Sequence, residues 1–504
     1  MKPKVYQFLL GCFVAIGSFN YGYDNSVITE VIASDAFLNK FKPSANEKSA
    51  VVSVFTGGAF FGAAIAGITN DWLGRRWTIF IGTVVFYLGA SLQTGADALS
   101  HMLVGRIFAG LSVGIMYMVI PVYQSEIAHP SIRGSISALQ QSFLGVGALI
   151  SAWISYGCYV AFTSEAQFRL PLGLQLVPTF FLMIFIFMLP ESPRWLIKKG
   201  KDELGLKNLA KLHSNNDLED AFVLEEFHQI KEDVEKEFLN SEIPFYKIVF
   251  GNKSNFRRIL MVISLQASVQ MTGVSSISYF TPSIYAQLHI TTSKSLLLSA
   301  CDGLINTIVA QVSCILLLDR WGRRWPIITA HFLQCLTFIA CAIIMAKFPV
   351  DKQTIPHSAQ IGFIAATWIF NFIFSIPGTT SWIIPAEIFN IQLRSGGVAV
   401  ATMTSFAFNT MISQITSIGM ANCGYKFWFL FIVCNFTNAV YFYCFLPETG
   451  RTPLEKMDNL WEDAPWFIPS WNRKDYLKEL EEEAVEHVGL NEKEDFEHVE
   501  VTEP

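Results

Sequence analysis

Long runs of apolar residues alternate with shorter polar segments over most of this chain. Each run approaches or exceeds the roughly 20 residues that a helix needs to cross the hydrocarbon layer of a bilayer. The pattern therefore predicts an all-α membrane protein with twelve transmembrane helices. We place these helices at 5–28, 50–69, 77–95, 102–121, 135–160, 171–189, 258–285, 294–318, 325–346, 359–386, 397–421 and 427–446.

Three charged segments occur twice, in the same order, in the polar connections between these runs. A duplicated unit of about 250 residues explains this repetition, and repeats of that size in an apolar chain are typical of two-halved transporters with a site between the halves. We therefore predict two pseudo-symmetric six-helix bundles, at 1–190 and 258–447. The paired segments are Asp71–Arg76 with Asp319–Arg324, Glu126–Arg133 with Glu387–Arg394, and Pro190–Arg194 with Pro447–Arg451.

Two polar regions lie outside the predicted bundles. Residues 191–257 connect the halves, and within them 201–213 and 218–238 place apolar residues at helical spacing among Glu and Lys. This spacing predicts short amphipathic helices in a cytoplasmic insert. Residues 448–504 form a largely disordered acidic tail in the prediction.

The basic residues of the short loops predict the orientation. Lys2, Lys4, Arg133, Arg394 and the paired arginines of the repeated segments all fall on one side if twelve spans alternate. By the positive-inside rule that side is cytoplasmic, together with both termini.

The composition supports a membrane class and excludes others. Hydrophobic residues make up 52% of the 504 residues and charged residues only 15%. No basic patch lies outside the ends of the apolar runs, so the sequence predicts no nucleic-acid partner. We find no assembled nucleophile, metal site or nucleotide loop, and we expect neither an enzyme nor a cofactor.

Ionisable residues inside the predicted spans are functional candidates, because a charge in hydrocarbon is costly unless it is paired or hydrated. Asp24 closes the first span and is the strongest candidate. Arg106 in the fourth span is interpreted as a packing anchor near the cytoplasmic end, and His331 as a packing residue. Asp302 lies in the eighth span without an assigned role.

Uncharged polar residues recur inside several spans and suit a neutral polyhydroxylated solute, whose donors and acceptors must all be matched. Aromatic side chains such as Tyr279 and Trp382 could cover the apolar faces of a sugar ring. The competing interpretation is that these amides only join helices. The amides are Gln140, Gln141, Gln266, Gln270, Asn306, Gln311, Asn371 and Asn409.

The repeated charged segments predict ion pairs across the two halves at the cytoplasmic face. Such pairs would exist in only one conformation and would bias a rocking equilibrium. The alternative is that these charges only set the orientation. The predicted gating residues are Asp71, Arg75, Arg76, Glu126, Glu191, Arg194, Asp319, Arg323, Arg324, Glu387, Arg394 and Glu448.

These segments together resemble the sugar porter family of the major facilitator superfamily, from about residue 8 to 465. The matching pieces are Gly22-Tyr23-Asp24, the two charged loops, Gly105-Arg106, Pro121–Gly134, Pro190–Leu196, Trp382–Arg394 and Pro447–Thr449. The resemblance implies the major facilitator fold, alternating access and a central sugar site.

Carried over from the family, the sugar-contacting amides fall on Gln141, Gln270 and Asn306, and the aromatic residue falls on Trp382. The chain departs from the family pattern at Val269, Ser275 and Ser405, where amides are usual, and at Trp72, where an arginine is usual. We include Ser275, Tyr279 and Asn409 in the predicted substrate site. These departures leave the particular sugar undetermined.

An aspartate at the position of Asp24 marks proton-coupled members of the family, and the resemblance pairs it with Arg133. The resulting hypothesis is a plasma-membrane, monomeric importer of a hexose or pentose together with a proton. Passive transport of sugars or polyols, transport of a sugar acid such as quinate, and a sugar sensor on the same fold remain the alternatives.

Overall fold

The computed structural model describes residues 2–214, 216–240, 244–305, 321–348, 355–389, 391–450 and 457–471. Long helices fill most of these ranges, and ten segments are long and apolar enough to cross a membrane. One of them, Gly396–Phe445, covers the predicted eleventh span and all but the last residue of the predicted twelfth. The predicted eighth span is described only over Thr292–Ile305, so Asn306 and Asp319 lie outside the described residues.

We number the membrane helices as spans 1 to 12 in chain order. Spans 1, 6 and 7 each consist of two helices with a short break. In order, the spans are Pro3–Val14 with Ile16–Val31, Ala45–Leu73, Arg75–Thr94, Leu99–Ile127, Arg133–Ala161, Ala166–Leu174 with Leu176–Phe185, Lys253–Met271 with Val274–Ala286, Thr292–Ile305, Arg324–Lys347, His357–Ile388, Ile391–Cys423 and Trp428–Phe445.

The connecting regions contain shorter helices. Asp35–Phe41 lies between spans 1 and 2, and Pro193–Lys198, Asp202–His213, Ala221–Asn240 and Phe245–Gly251 lie between spans 6 and 7. We call the end of the molecule that carries Asp202–Asn240 the insert face, and the other end the opposite face.

Side-chain to backbone hydrogen bonds connect the insert, and the chain beyond span 12, to the helix bundles. Gln7 in span 1 donates from Nε2 to the carbonyl of Leu212 at 2.9 Å. Arg257, at the start of span 7, donates to the carbonyls of Ala464 and Pro465 at 2.5 and 2.6 Å. Both contacts satisfy carbonyls near helix ends, which have no partner within the helix.

Spans 2 and 4 pack with their backbones in contact, because glycines line their interface. A Cβ atom placed on Gly110 would lie 2.0 Å from the carbonyl oxygen of Phe55, and one on Gly62 would lie 2.0 Å from that of Leu111. Small residues permit this approach in membrane helices. The close contact fixes span 4 against span 2 and thereby positions the side chains that span 4 carries inward.

The two halves meet through hydrogen bonds toward the opposite face. Gln414 in span 11 donates to Asn46 at 2.7 Å and accepts from Ser53 at 2.5 Å, both at the start of span 2. Tyr279 in span 7 donates to Asn25 in span 1 at 2.6 Å. These contacts hold the opposite face closed in this conformation.

Candidate functional site

A buried ion pair joins Asp24 of span 1 to Arg106 of span 4. Arg106 donates from Nη1 to Oδ2 of Asp24, and both side chains are 0% exposed. The guanidinium also donates from Nε to the carbonyl of Val51 at 3.0 Å and lies 4.1 Å from the ring centroid of Phe55. Separating the two charges inside the membrane would leave each without compensation, so the pair holds span 1 against span 4 while both groups are charged.

The remaining neighbours of this pair are polar but do not complete its hydrogen bonds. Gln93 of span 3 and Gln175 of span 6 lie beside the Asp24 carboxyl. Within the described residues, Oδ1 of Asp24 and Nη2 of Arg106 are buried without a partner in good geometry. A carboxyl in this setting has an arginine on one side and uncharged amides on the other, which suits a group that changes its protonation state.

The predicted partnership of Asp24 with Arg133 is wrong. Spans 1 and 5 run in the same direction, with Gly11 packed against Ile136 and Gly22 against Leu144. Arg133, whose own side chain lies outside the described residues, therefore starts span 5 near the insert face. By the helical rise it lies about 20 Å from Asp24 along the helix axis, which is beyond the reach of an arginine side chain.

Arg106 lies toward the other end of span 4 from the one that the sequence predicts. It was interpreted as an anchor near the cytoplasmic end, whereas span 4 begins at the opposite face and Arg106 lies in its first third. Asp24 lies in the last third of span 1, which runs the other way. The alternation of spans was sufficient to predict that both residues lie in the same half of the membrane.

Gln270 and Ser275 of the predicted substrate site form a small hydrogen-bond network with Ser405 in the C-terminal half. Gln270 donates from Nε2 to Ser405 at 3.1 Å, and Ser275 donates to Oε1 of Gln270 at 2.9 Å. The break in span 7 at Gly273, which has a φ of 94°, brings Ser275 back toward Gln270. Ser275 and Ser405 stand where the family usually has amides. Both are hydrogen-bonded to Gln270, the family amide that this chain keeps.

The other predicted substrate residues lie in two different settings. Gln141 is half-buried and makes no hydrogen bond within the described residues, whereas Asn409 accepts from Ser413 at 3.0 Å. Tyr279 is bonded across the halves to Asn25 and belongs to the closed opposite face. Among the described residues of the predicted substrate site, Gln141 is thus the amide whose donor and acceptor are both unbonded.

Aromatic rings from both halves meet beside these polar groups. The Tyr117 ring lies 5.3 Å from Trp382 and 5.4 Å from Tyr21, both edge-on, and Tyr21 lies 6.3 Å from Phe406. Tyr21 and Tyr117 belong to the N-terminal half, and Trp382 and Phe406 to the C-terminal half. We call these four residues the aromatic cluster. Such a cluster can cover the apolar face of a ring-shaped solute.

Charged residues at the insert face form one network in the N-terminal half. Arg75 donates to Glu126 at 2.6 and 2.7 Å, and Asp71 lies 3.8 Å from Arg75. Glu191 accepts from the backbone N–H of Arg75 at 3.1 Å, and Arg76 donates to the carbonyl of Phe187. A positive φ of 88° at Gly74 turns the backbone so that these N–H groups point at Glu191.

The C-terminal half repeats this network. Arg323 donates to Glu387 at 3.0 and 3.3 Å, and the backbone N–H groups of Arg323 and Arg324 donate to Glu448 at 2.7 and 3.1 Å. Gly322, with a φ of 82°, takes the place of Gly74. The prediction of ion pairs across the halves is therefore wrong for Arg75–Glu126 and Arg323–Glu387, because each glycine turn folds its arginines onto a carboxylate of the same half. Arg394 has its side chain outside the described residues, so its pairing stays a prediction.

Glu191 is a buried acid at the insert face. Burial raises the pKa of this carboxyl above its ordinary value, although the backbone N–H groups of Ser192, Arg76 and Arg75 act in the opposite direction. Arg194 follows in the short helix Pro193–Lys198, and Trp195 of the same helix donates to the carbonyl of Asp71 at 3.0 Å. The charged loop and the first insert helix are thus one structural unit.

Comparisons with known sequences place this arrangement in a family. The Sugar (and other) transporter family model matches residues 10–461. The MFS-type transporter criB of Aspergillus cristatus is 31% identical over 90% of this chain and 93% of its own length. A high-affinity glucose transporter of Kluyveromyces lactis is 29% identical, covering 95% and 89%. A probable quinate permease of Neosartorya fischeri is 31% identical, covering 92% and 89%.

Solved structures show the same fold. The E. coli proton:xylose symporter XylE, bound to 6-bromo-6-deoxy-D-glucose, superposes with a TM-score of 0.72 at 20% identity, over 91% of this chain and 99% of that chain. A partially occluded inward-open form of the same protein gives a TM-score of 0.73 at 19% identity, over 89% and 100%. The chain belongs to the Sugar (and other) transporter family, and so is a multi-pass sugar porter of the major facilitator superfamily.

Proposed function

We propose that this protein imports a neutral monosaccharide, a hexose or a pentose, together with a proton across the plasma membrane by alternating access. The fully buried pair of Asp24 and Arg106 is the observation that supports coupling of sugar transport to proton transport. A passive carrier has no need of a protonatable group at this depth, where keeping a charge is costly. In this proposal the insert face is cytoplasmic, because it carries the paired arginines.

The coupling follows from the electrostatics of the pair. While Asp24 is ionised, its attraction to Arg106 ties span 1 to span 4 inside the N-terminal half. A proton on Asp24 removes that attraction and lets Arg106 turn toward other acceptors, such as the carbonyl of Val51 that it already contacts. Span 1 can then shift relative to span 4. Because span 1 also carries Asn25, which is bonded to Tyr279 of span 7, the shift changes the contact between the halves.

The substrate is proposed to bind between Gln141 and the Gln270 network, with the aromatic cluster against its ring. Hydroxyl groups can exchange with the bonds among Gln270, Ser275 and Ser405, which are replaceable donors and acceptors. Arg106 is the fully buried arginine in the described spans of the N-terminal half, and its charge is already paired with Asp24. This favours a neutral sugar over a sugar acid, although relatives include a glucose transporter and a quinate permease.

Competition in a cell that lacks its own sugar carriers tests the substrate class. Labelled glucose or xylose should be taken up, and unlabelled hexoses and pentoses should compete with it, whereas quinate should not. Matched cells without the protein set the background. Saturable quinate uptake that sugars fail to inhibit would show that the site accepts a carboxylate instead.

The closed opposite face provides a conformational prediction. Gln414→Ala removes two hydrogen bonds between the halves, and at about 1 kcal/mol net for each bond this shifts the equilibrium toward the outward-open state about tenfold or more. Spin labels on Lys42→Cys and Lys426→Cys, which are exposed at this face in different halves, report the change as a longer distance.

Gln360→Ala is the matched control for that measurement. Gln360 also lies toward the opposite face, but it donates to the carbonyl of Leu288 within the C-terminal half. Its replacement should leave the distance distribution unchanged. Equal distributions for Gln414→Ala and the parent protein would mean that these bonds do not hold the halves together.

A further inference from the structure

Glu30 is a second buried acid on the helix that carries Asp24. Its side chain lies near the opposite-face end of span 1 and the residue is 3% exposed. Its Oε2 atom is buried without a hydrogen-bond partner among the described residues. An ionised carboxylate in such a place is costly unless it gains a partner or a water molecule.

Helical register places Glu30 against polar side chains of span 5. Glu30 shares a helix face with Gly22, which is eight residues earlier and contacts the carbonyl of Leu144. Moving eight residues along both parallel helices brings Glu30 level with Ser151 and Ser155. Both serines are buried, and both hydroxyl groups lack a hydrogen-bond partner in the described part of the chain.

Polar groups also occupy the interval between Glu30 and Asp24. The two acids are six residues apart, or about 9 Å along the helix axis. The Tyr23 hydroxyl donates to the carbonyl of Pro171 at 2.9 Å. Gln175, one turn further along span 6, lies beside the Asp24 carboxyl, and both atoms of its amide group are buried without a bond. The Tyr23 hydroxyl and the Gln175 amide are therefore the polar groups between the two acids through which a proton would have to pass.

We propose that Glu30 is the residue that takes up the proton from the opposite face and delivers it to Asp24. This inference rests on the proposed proton coupling. Protonated Glu30 gives its proton to the Asp24 carboxylate, and the Glu30 carboxylate left behind is protonated again from the solution at the opposite face. Asp24 later releases the proton at the insert face. Tyr23, seven residues before Glu30, shares its helix face, whereas Asp24 lies about a third of a turn away round the helix and points toward span 4. The helices packed against this part of span 1 carry further titratable groups, namely Cys158 and Tyr159 on span 5, Glu165 and Arg169 at the start of span 6, and Tyr279 and Tyr285 on span 7.

Proteoliposomes with a pH-sensitive dye inside test this role through Glu30→Gln. Glutamine has the shape of the protonated acid but cannot transfer a proton. We expect sugar-driven proton influx to fall at least about tenfold at neutral external pH, where protons are scarce. Sugar exchange at equal concentrations should keep its parent rate, because exchange needs no net proton transfer; a normal exchange rate also shows that the variant is folded.

Two further variants make the test specific. Glu47→Gln neutralises an exposed acid at the same face, and glutamine can still complete the capping box with Ser44, so its proton influx should match the parent protein. Glu30→Asp keeps an acid and should retain most of the influx. Parent-like influx in Glu30→Gln, or equal losses in Glu30→Asp and Glu30→Gln, would overturn the role of Glu30. A parent protein that moves sugar without protons would instead contradict the proposed coupling itself.

Discussion

Asp24→Asn is expected to abolish sugar accumulation against a gradient. Exchange of sugar and movement of sugar down its gradient should both remain. Asparagine can still accept a hydrogen bond from Arg106, so span 1 and span 4 stay in contact, but it carries neither a charge nor a transferable proton. Uptake of labelled sugar in energised cells should therefore stop at the external concentration. Counterflow in proteoliposomes measures the exchange that remains.

The control for this substitution is Asp35→Asn, which removes an exposed acid just beyond the same span. It should accumulate sugar like the parent protein. If Asp24→Asn still concentrates sugar, the coupling site lies elsewhere. Asp302 in span 8, which accepts a hydrogen bond from Asn371 at 2.5 Å, would then be the residue to test.

Gly62→Ala is expected to remove most of the folded protein. The added Cβ would lie 2.0 Å from the carbonyl oxygen of Leu111, so spans 2 and 4 would have to separate along their closest contact. Overpacking of this kind costs about 1–3 kcal/mol or more, a large share of the stability of a typical domain. Thermal unfolding of the detergent-solubilised protein, followed by size-exclusion chromatography, measures the loss.

Gly67→Ala in the same span is the matched control. A Cβ atom at this position has no heavy atom within 4 Å, and alanine favours a helix over glycine by up to about 1 kcal/mol. This variant should be at least as stable as the parent protein. Equal melting temperatures for both variants would show that spans 2 and 4 are not packed through Gly62.

The sequence predicted the helices better than their ends. Span 2 was predicted at 50–69 but begins at Ala45, because Ser44 and Glu47 form a capping box that starts the helix in a polar segment. Hydrophobicity marks the part of a helix that lies in the bilayer and not the turns beyond it. A capping motif such as Ser44 and Glu47 is visible in the sequence and could have extended the prediction.

The sequence also identified Asp24 without its correct partner. An acidic residue inside an apolar run is visible in the sequence. Its partner is not, because the partner depends on how two helices are aligned along their axes. Close contacts such as Gly22 with Leu144 set that alignment, and they depend on packing that one sequence does not display. The insert-face ion pairs were misassigned for the same reason, since the turns at Gly74 and Gly322 direct each arginine into its own half.

The central claim is that sugar and protons move together through the Asp24–Arg106 pair. Its most direct test is the pH of a weakly buffered medium around cells or proteoliposomes that contain the protein, recorded while sugar is added without an imposed gradient. We predict that the external medium becomes alkaline on sugar addition, that a protonophore abolishes the change, and that Asp24→Asn abolishes it as well. Sugar uptake at the parent rate with no change in external pH would contradict the claim.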